Sequence, residues 1–336
     1  MTRSSTVIDS AGAIGGGSAR FLRELKRFLV QEQPEDVMLL GDDRQLSPGW
    51  LLRREAIAAS AAQRISLNNV GFAMPRGHNI TLLRNILQFA TQQDMDQLGF
   101  SPSRRLRLQT PVVRTLAKAS DVLVVPCTRM ADQVRRISPA LDRKLTVRFH
   151  PVAKPSWAGE APEQPRDVLV PIVPQPYKNL DQHLPEFLNA TDEIDGEPIR
   201  LIVPSTPDAL SVVAGHPRVV FIGPQTSSQL ETWWRRCGAV FFPVAFESFG
   251  YALAESRVYG RAVIAQDTAQ NHEIAGRALR PYRRGDTASL KTAVTEALQR
   301  VPDPDAGPFD PTNYFQWLLN GAEAAGQQMN SKETSE

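Results

Sequence analysis

Short apolar runs alternate with amphipathic stretches almost throughout this 336-residue chain, and no other feature constrains its fold as strongly. Candidate strands in the first half are Thr6–Asp9, Val37–Leu40, Ile65–Leu67, Ile80–Leu83, Val122–Val125 and Leu145–Phe149. In the second half they are Val168–Val173, Ile199–Val203, Val219–Ile222, Val240–Phe242 and Ala262–Ala265. Several are β-branched runs without polar alternation, the pattern of parallel strands buried on both faces. Helical patterns lie between them. Phe21, Leu22, Leu25, Phe28 and Leu29 form one apolar face, and Leu290, Ala293, Val294, Ala297 and Leu298 form another. Strand and helix in turn predict an α/β chain with parallel sheets covered by helices.

The length suits roughly two domains. The best linker is His150–Arg166, which holds four prolines. We therefore expect two Rossmann-like, doubly wound domains over residues 1–155 and 156–329, facing a cleft, with a disordered tail at 330–336. Residues 1–155 carry 23 basic and 13 acidic side chains, a net +10, while the remainder carries −8. Halves of opposite sign fit domains that attract, or a basic half facing an anionic partner. No apolar run reaches the roughly 18 residues of a membrane span. The two cysteines, Cys127 and Cys237, lie far apart, so a disulfide framework is not expected and a reducing cytoplasm is.

Val240–Ala265 (VFFPVAFESFGYALAESRVYGRAVIA) reads as strand, tight loop, helix, glycine turn and strand. Pro243 stops the strand, Glu247 stands in the loop, and Ser248, Phe249 and Gly250 lead into a helix that Gly260 ends. A helix N-terminus beside a small residue favours phosphate. Glu255 follows Glu247 by eight residues. Spacing alone equally fits a buried strand–helix unit with an exposed glutamate.

The order of residues carries more. Pro243, Glu247-Ser248-Phe249-Gly250, Glu255-Ser256 and Gly260-Arg261-Ala262-Val263-Ile264 resemble the Glu-x7-Glu signature of retaining glycosyltransferases of family 4, which have the GT-B fold. Ala262 stands where the family usually has proline. The resemblance implies a metal-independent, hexosyltransferase-type enzyme with a nucleotide sugar as donor substrate and no cofactor. It implies that Glu247 contacts the donor sugar, that Phe249 and Gly250 offer backbone donors beside Ser248, and that Glu255 holds the nucleotide ribose. Lys178-Asn179 follows the first strand of the second half, where the family supplies a cation to the donor diphosphate. The arginine that the family often carries five or six residues earlier is replaced by Ile172 and Val173. AIGGGSAR (13–20) resembles the family's N-terminal glycine loop, with Gly16 and Gly17 near the donor phosphates. It fails as a dinucleotide fingerprint, because Arg20 stands where the last glycine is expected. Asp121–Met130, His150-Pro151-Val152 and Asn271–Ile274 resemble further family segments more faintly.

On the acceptor side, Arg84 and Asn85 follow the Ile80–Leu83 strand where the family often has a histidine, and His78 before it is a stand-in. Asp94-Met95-Asp96 lies in a polar helical stretch and reads as a solvated face rather than a metal motif. The five histidines and two cysteines show no metal-ligand spacing. The cluster Arg104, Arg105, Arg107, Arg114 and Lys118, interleaved with apolar residues, reads as an interfacial helix on anionic lipid or as a solvated basic face, interrupted at Pro111. Neither aromatic platforms nor a docking motif for nucleic acid is present.

The reading is a cytoplasmic glycosyltransferase acting on an unidentified hydroxyl acceptor: glycan, lipid or secondary metabolite. Peripheral contact with the inner membrane face is an option. The alternatives are a non-catalytic GT-B subunit that binds a sugar nucleotide or pairs with a partner, and a peripheral protein of anionic membranes. Donor base and sugar, acceptor and oligomeric state stay open.

Overall fold

The computed structural model describes residues 5–13 and 15–322. The tail expected at 330–336 lies outside the described residues. The chain divides into two compact units, one running to Pro151 and resuming at Asp310, the other spanning Val152–Phe309.

The first unit holds strands β1 (Thr6–Asp9), β2 (Val37–Leu40), β3 (Gln63–Ser66), β4 (His78–Leu82), β5 (Val122–Val125) and β6 (Leu145–Val147). They form one sheet in the order β2-β1-β3-β4-β5-β6, every neighbouring pair parallel. Its larger helices are α1 (Gly16–Glu32), α2 (Pro48–Ile57), α4 (Arg104–Ala117) and α5 (Thr128–Ile137), with a short α3 (Gln92–Gln97) before α4. Helix α1 buries Phe21, Leu22, Leu25 and Phe28, the face its periodicity predicts.

The second unit holds β7 (Gln164–Leu169), β8 (Arg200–Val203), β9 (Val219–Phe221), β10 (Cys237–Phe242), β11 (Ala262–Gln266) and β12 (Leu279–Tyr282). Its sheet is also wholly parallel, in the order β12-β11-β10-β7-β8-β9. Helices α6 (Leu180–Thr191), α7 (Ser227–Arg236), α8 (Tyr251–Tyr259), α9 (Ala269–Ala275) and α10 (Thr287–Gln299) connect the strands. A last helix, α11 (Pro311–Leu319), follows.

Four expectations change. The break between units falls after Pro151 rather than 155, and residues from Asp310 belong to the first unit, not the second. The cause is aromatic packing: Tyr314, Phe315 and Leu318 of α11 share a core with Phe21, Leu25 and Phe28 of α1, with Phe315 edge-on to Phe21 at 5.4 Å. The polar, proline-rich linker is largely ordered on the second unit. Trp157 is buried against Tyr259 at 5.2 Å, and the buried Arg261 guanidinium donates to the carbonyl oxygens of Glu160 (2.8 Å), Arg235 (2.9 Å) and Trp234 (3.0 Å). Pro111 does not interrupt α4, which runs through it from an N-cap at Ser103. Asp94 is not on a solvated face: it forms a capping box with Thr91 and accepts from Gln133 (2.8 Å) and Arg136 (2.6 Å), contacts that hold its carboxyl well below the usual range against the cost of burial.

Strand β12 has no counterpart in the apolar pattern, because Arg280 and Pro281 break its run. It pairs on one side only, where a proline is tolerated. The strand read as Val168–Val173 starts earlier and ends at Leu169, two residues before Pro171.

Candidate functional site

In the second sheet, chain order reverses between β7 and β10. From β7 the chain moves outward to β8 and β9; the later strands β10, β11 and β12 are laid down on its other side. Loops leaving the carboxyl ends of two such strands diverge and leave a crevice, the usual ligand position in an open parallel sheet. Lys178 lies on the loop from β7 and Glu247 on the loop from β10, so topology alone brings those two side chains to one edge of the sheet.

The β10 loop is held in place from below. Strand β10 is buried along its whole length. Pro243 follows it, and its carbonyl accepts from the buried amide of Gln266 at 2.6 Å. The amide of Gln270 donates to the Glu247 carbonyl at 3.1 Å and to the Phe249 carbonyl at 3.4 Å. The Glu247 carboxylate accepts from the Ser248 backbone N–H at 2.9 Å, which fixes the carboxylate at the turn. Gly250 then takes a left-handed conformation (φ 82°) as N-cap of α8. Glycine is required there, because a Cβ would meet Leu253 at 2.9 Å in a backbone region that side chains avoid. Ser248 and Phe249 are buried, and Phe249 packs edge-on to Tyr251 at 5.2 Å. Glu255 sits in the second turn of α8 and is buried, unlike the exposed glutamate that spacing alone allowed.

The β7 loop ends in a single turn, Pro176–Lys178, and then Asn179 in a left-handed conformation (φ 50°) at the start of α6. The Asn179 carbonyl accepts from the N–H groups of Gln182 and His183, both at 3.1 Å, so Lys178 projects just ahead of a helix N-terminus. Its ammonium lies 5.8 Å from the Tyr177 ring centre. Burial, and then the nearby Glu247 carboxylate, push the Tyr177 phenol above its ordinary range. Tyr177, in the same turn as Lys178, thus lies within electrostatic reach of Glu247 on the other loop. Ile172 is buried and Val173 exposed; both side chains are apolar, so neither offers a cation to this crevice.

In the first unit, Gly15 caps α1 and Gly16 has φ 56°. A Cβ added at Gly15 or Gly16 would meet nothing within 4 Å, so the loop is open to a ligand. Gly17 is exposed in the first turn. Arg84 and Asn85 follow β4 at the same edge of this sheet. The Arg84 guanidinium lies over the Phe21 ring at 4.8 Å, and its backbone N–H donates to Asn69. Asn85 uses its side-chain oxygen to cap the next turn, accepting from Leu87 at 3.1 Å. His78 is placed elsewhere: it begins β4, at the opposite edge, with Nε2 2.8 Å from the Gly321 carbonyl oxygen. The strand's own length separates it from Arg84, so the structure does not group these two.

Sequence reasoning missed three supports. Gln266 and Gln270 hold the β10 loop, and their only signal was position, at the end of β11 and in the first turn of α9. Asp9 is fully buried where β1 meets the glycine loop. It accepts from Ala11 N–H (3.1 Å), Trp50 Nε1 (3.0 Å), Asn68 Nδ2 (2.8 Å) and Arg54. An acidic residue ending a strand was the available signal.

Residues 173–300 match the family model of group 1 glycosyl transferases. No curated protein matches the chain. Among solved structures, it is similar to a sucrose-phosphate synthase from Thermosynechococcus elongatus, with 15% identity, 99% of this chain and 100% of that one covered, and a TM-score of 0.61. It is similar to AviGT4, a glycosyltransferase involved in avilamycin A biosynthesis (14% identity, 95% and 96% covered, TM-score 0.63). It is also similar to WaaG, a glycosyltransferase involved in lipopolysaccharide biosynthesis (12% identity, 92% and 94% covered, TM-score 0.59). At these identities the shared property is the GT-B fold.

Proposed function

We propose that the chain, whose residues 173–300 match the group 1 glycosyl transferase model and which has the GT-B fold, is a glycosyltransferase whose second unit binds a nucleotide sugar at the β7–β10 switch point. The observation that carries this is the convergence of the Lys178 and Glu247 loops on one sheet edge, each leading into a helix N-terminus. Lys178, a mobile point charge, offsets the charge of the departing diphosphate together with the α8 N-terminus. Glu247, fixed by the Ser248 N–H, orients the donor sugar and favours positive charge developing at its anomeric carbon. Glu255 holds the ribose. Arg84 and Asn85 of the first unit serve the acceptor, the Gly16-Gly17 loop of that unit serves the donor phosphates, and transfer retains the anomeric configuration.

The test is nucleotide release from UDP-, GDP-, ADP- and dTDP-sugars, with product configuration read by NMR. Glu247→Gln and Lys178→Ala should each lower kcat about 100-fold, in the range for loss of one electrostatic stabiliser, with the melting temperature held. Full turnover in either variant contradicts the assignment, and an inverted product contradicts retention.

Among the described residues no helix is long and apolar enough to cross a membrane. Peripheral contact is favoured by one feature of α4. Leu108 and Val112 are 64% and 43% exposed one turn apart, with Arg104, Arg105 and Arg107 exposed beside them. An apolar stripe edged with cations suits the surface of an anionic bilayer. It supports a cytoplasmic enzyme working at the inner membrane face. Flotation with phosphatidylglycerol vesicles should be lost in Leu108→Asp/Val112→Asp and weakened by salt; flotation unchanged by the substitutions refutes this docking.

A further inference from the structure

A groove of about 610 Å³ runs along one flank of α1, walled on its other side by the loop after β2 at Asp43. Its helical lining falls at the i, i+3, i+4, i+7 spacing of one stripe. Ala19, Leu22 and Val30 form an apolar floor, and Arg23, Lys26 and Arg27 stand along it. From Ala19 to Val30 the stripe extends about 16 Å, at 1.5 Å of rise per residue. Val30, at its far end, is 73% exposed. At the near end Ala13 also lines the groove, just before the glycine loop.

The three cations keep N–H donors to spare. Lys26 pairs with Asp42 at 2.8 Å, but both side chains are well exposed. Arg23 and Arg27 share a single carboxylate, Glu24, at 3.4 Å each. The exposed Lys26 pair contributes little to stability, whereas the Glu24 side chain is only 6% exposed; Arg23 and Arg27 meet it through one nitrogen each, which leaves their other N–H groups to a ligand anion. Guanidinium and ammonium groups over an apolar floor match a molecule that carries both a phosphate and a hydrocarbon. The phosphate takes charge-assisted hydrogen bonds, and the hydrocarbon leaves water against Ala19, Leu22 and Val30.

We propose that this groove binds a single anionic amphiphile, a phosphate carrying an apolar chain, as part of the acceptor. The assignment to the acceptor rests on the first unit being the acceptor side. The binding claim does not, and its test contains no donor.

Titration calorimetry on the full chain would use decyl phosphate below its micellar concentration, with inorganic phosphate and neutral decyl maltoside as controls. Saturable one-to-one binding of decyl phosphate is expected, at least about 10-fold tighter than either control, as for loss of one charge-assisted hydrogen bond. Lys26→Gln/Arg27→Gln, which leaves Arg23 on the buried Glu24, and Val30→Asp should each weaken it by about that factor while melting temperature and nucleotide-sugar release stay as in the wild type. Equal binding of inorganic phosphate would reduce the groove to an ion site, and equal binding of decyl maltoside to a non-selective apolar surface. Undiminished affinity in the variants, or binding to phosphatidylglycerol vesicles without binding of the monomer, would also overturn the proposal.

Discussion

At the scale of single residues, charge position decides most of what this chain can do. Glu247 and Glu255 are chemically alike, yet one lies in a loop with its carboxylate on a backbone N–H and the other is buried on a helix. Their losses should therefore differ. Glu255→Gln is expected to raise the donor KM about 10-fold with a smaller change in kcat, as for a group that binds ground and transition states alike. Equal kcat losses for the two glutamates in steady-state kinetics would contradict the division. His150 provides a pH test. Burial, and then the Arg84 charge, hold its imidazole well below the ordinary value. The unfolded chain takes up a proton near pH 6.5 that the folded chain refuses. Stability is thus full above that pH and falls as pH drops through it, by up to about 1.4 kcal/mol per pH unit. His150→Phe should flatten this part of the melting-temperature profile; an unchanged slope would show that His150 does not cause it. Glu247, Glu255 and Lys178 stand out in the sequence because their order along the chain is distinctive, and their roles are proposals. Gln266, Gln270 and Asp9 do not, since a lone polar residue at a strand end says nothing of which carbonyl or indole it meets.

At the scale of elements, the apolar runs placed eleven of the twelve strands among the described residues, some with ends shifted by several residues, because parallel strands buried on both faces advertise themselves. β12 escaped because an edge position tolerates Arg280 and Pro281. Helix α4 is the reverse case, in which a proline suggested an interruption and the helix continues. Pro111 removes a donor and crowds the preceding turn, so Pro111→Ala should stabilise the first unit by about 1–3 kcal/mol. A lowered melting temperature would show that Pro111 packs favourably where it is. Arg261 ties the ordered linker to the second unit through several carbonyls. Arg261→Met strands those acceptors in a buried site and should cost about 3 kcal/mol or more, read by denaturant unfolding.

At the scale of the whole molecule, two doubly wound units were foreseen from length, linker and alternation, but not the return of the chain to the first unit after Phe309. Nothing in a nine-residue amphipathic helix says which of two cores it completes. Only the facing aromatics of α1 do. Phe315→Ala should therefore cost the first unit about 3–5 kcal/mol and leave donor binding by the second unit intact. The β7–β10 crevice, by contrast, follows from strand order and needs no side-chain detail. The most direct test of the donor site is hydrogen exchange of the full chain with and without the nucleotide sugar that it turns over. Slowed exchange should appear in residues 173–180 and 244–252, the two loops at the switch point. Protection confined to the first unit, with those loops unchanged, would contradict the account.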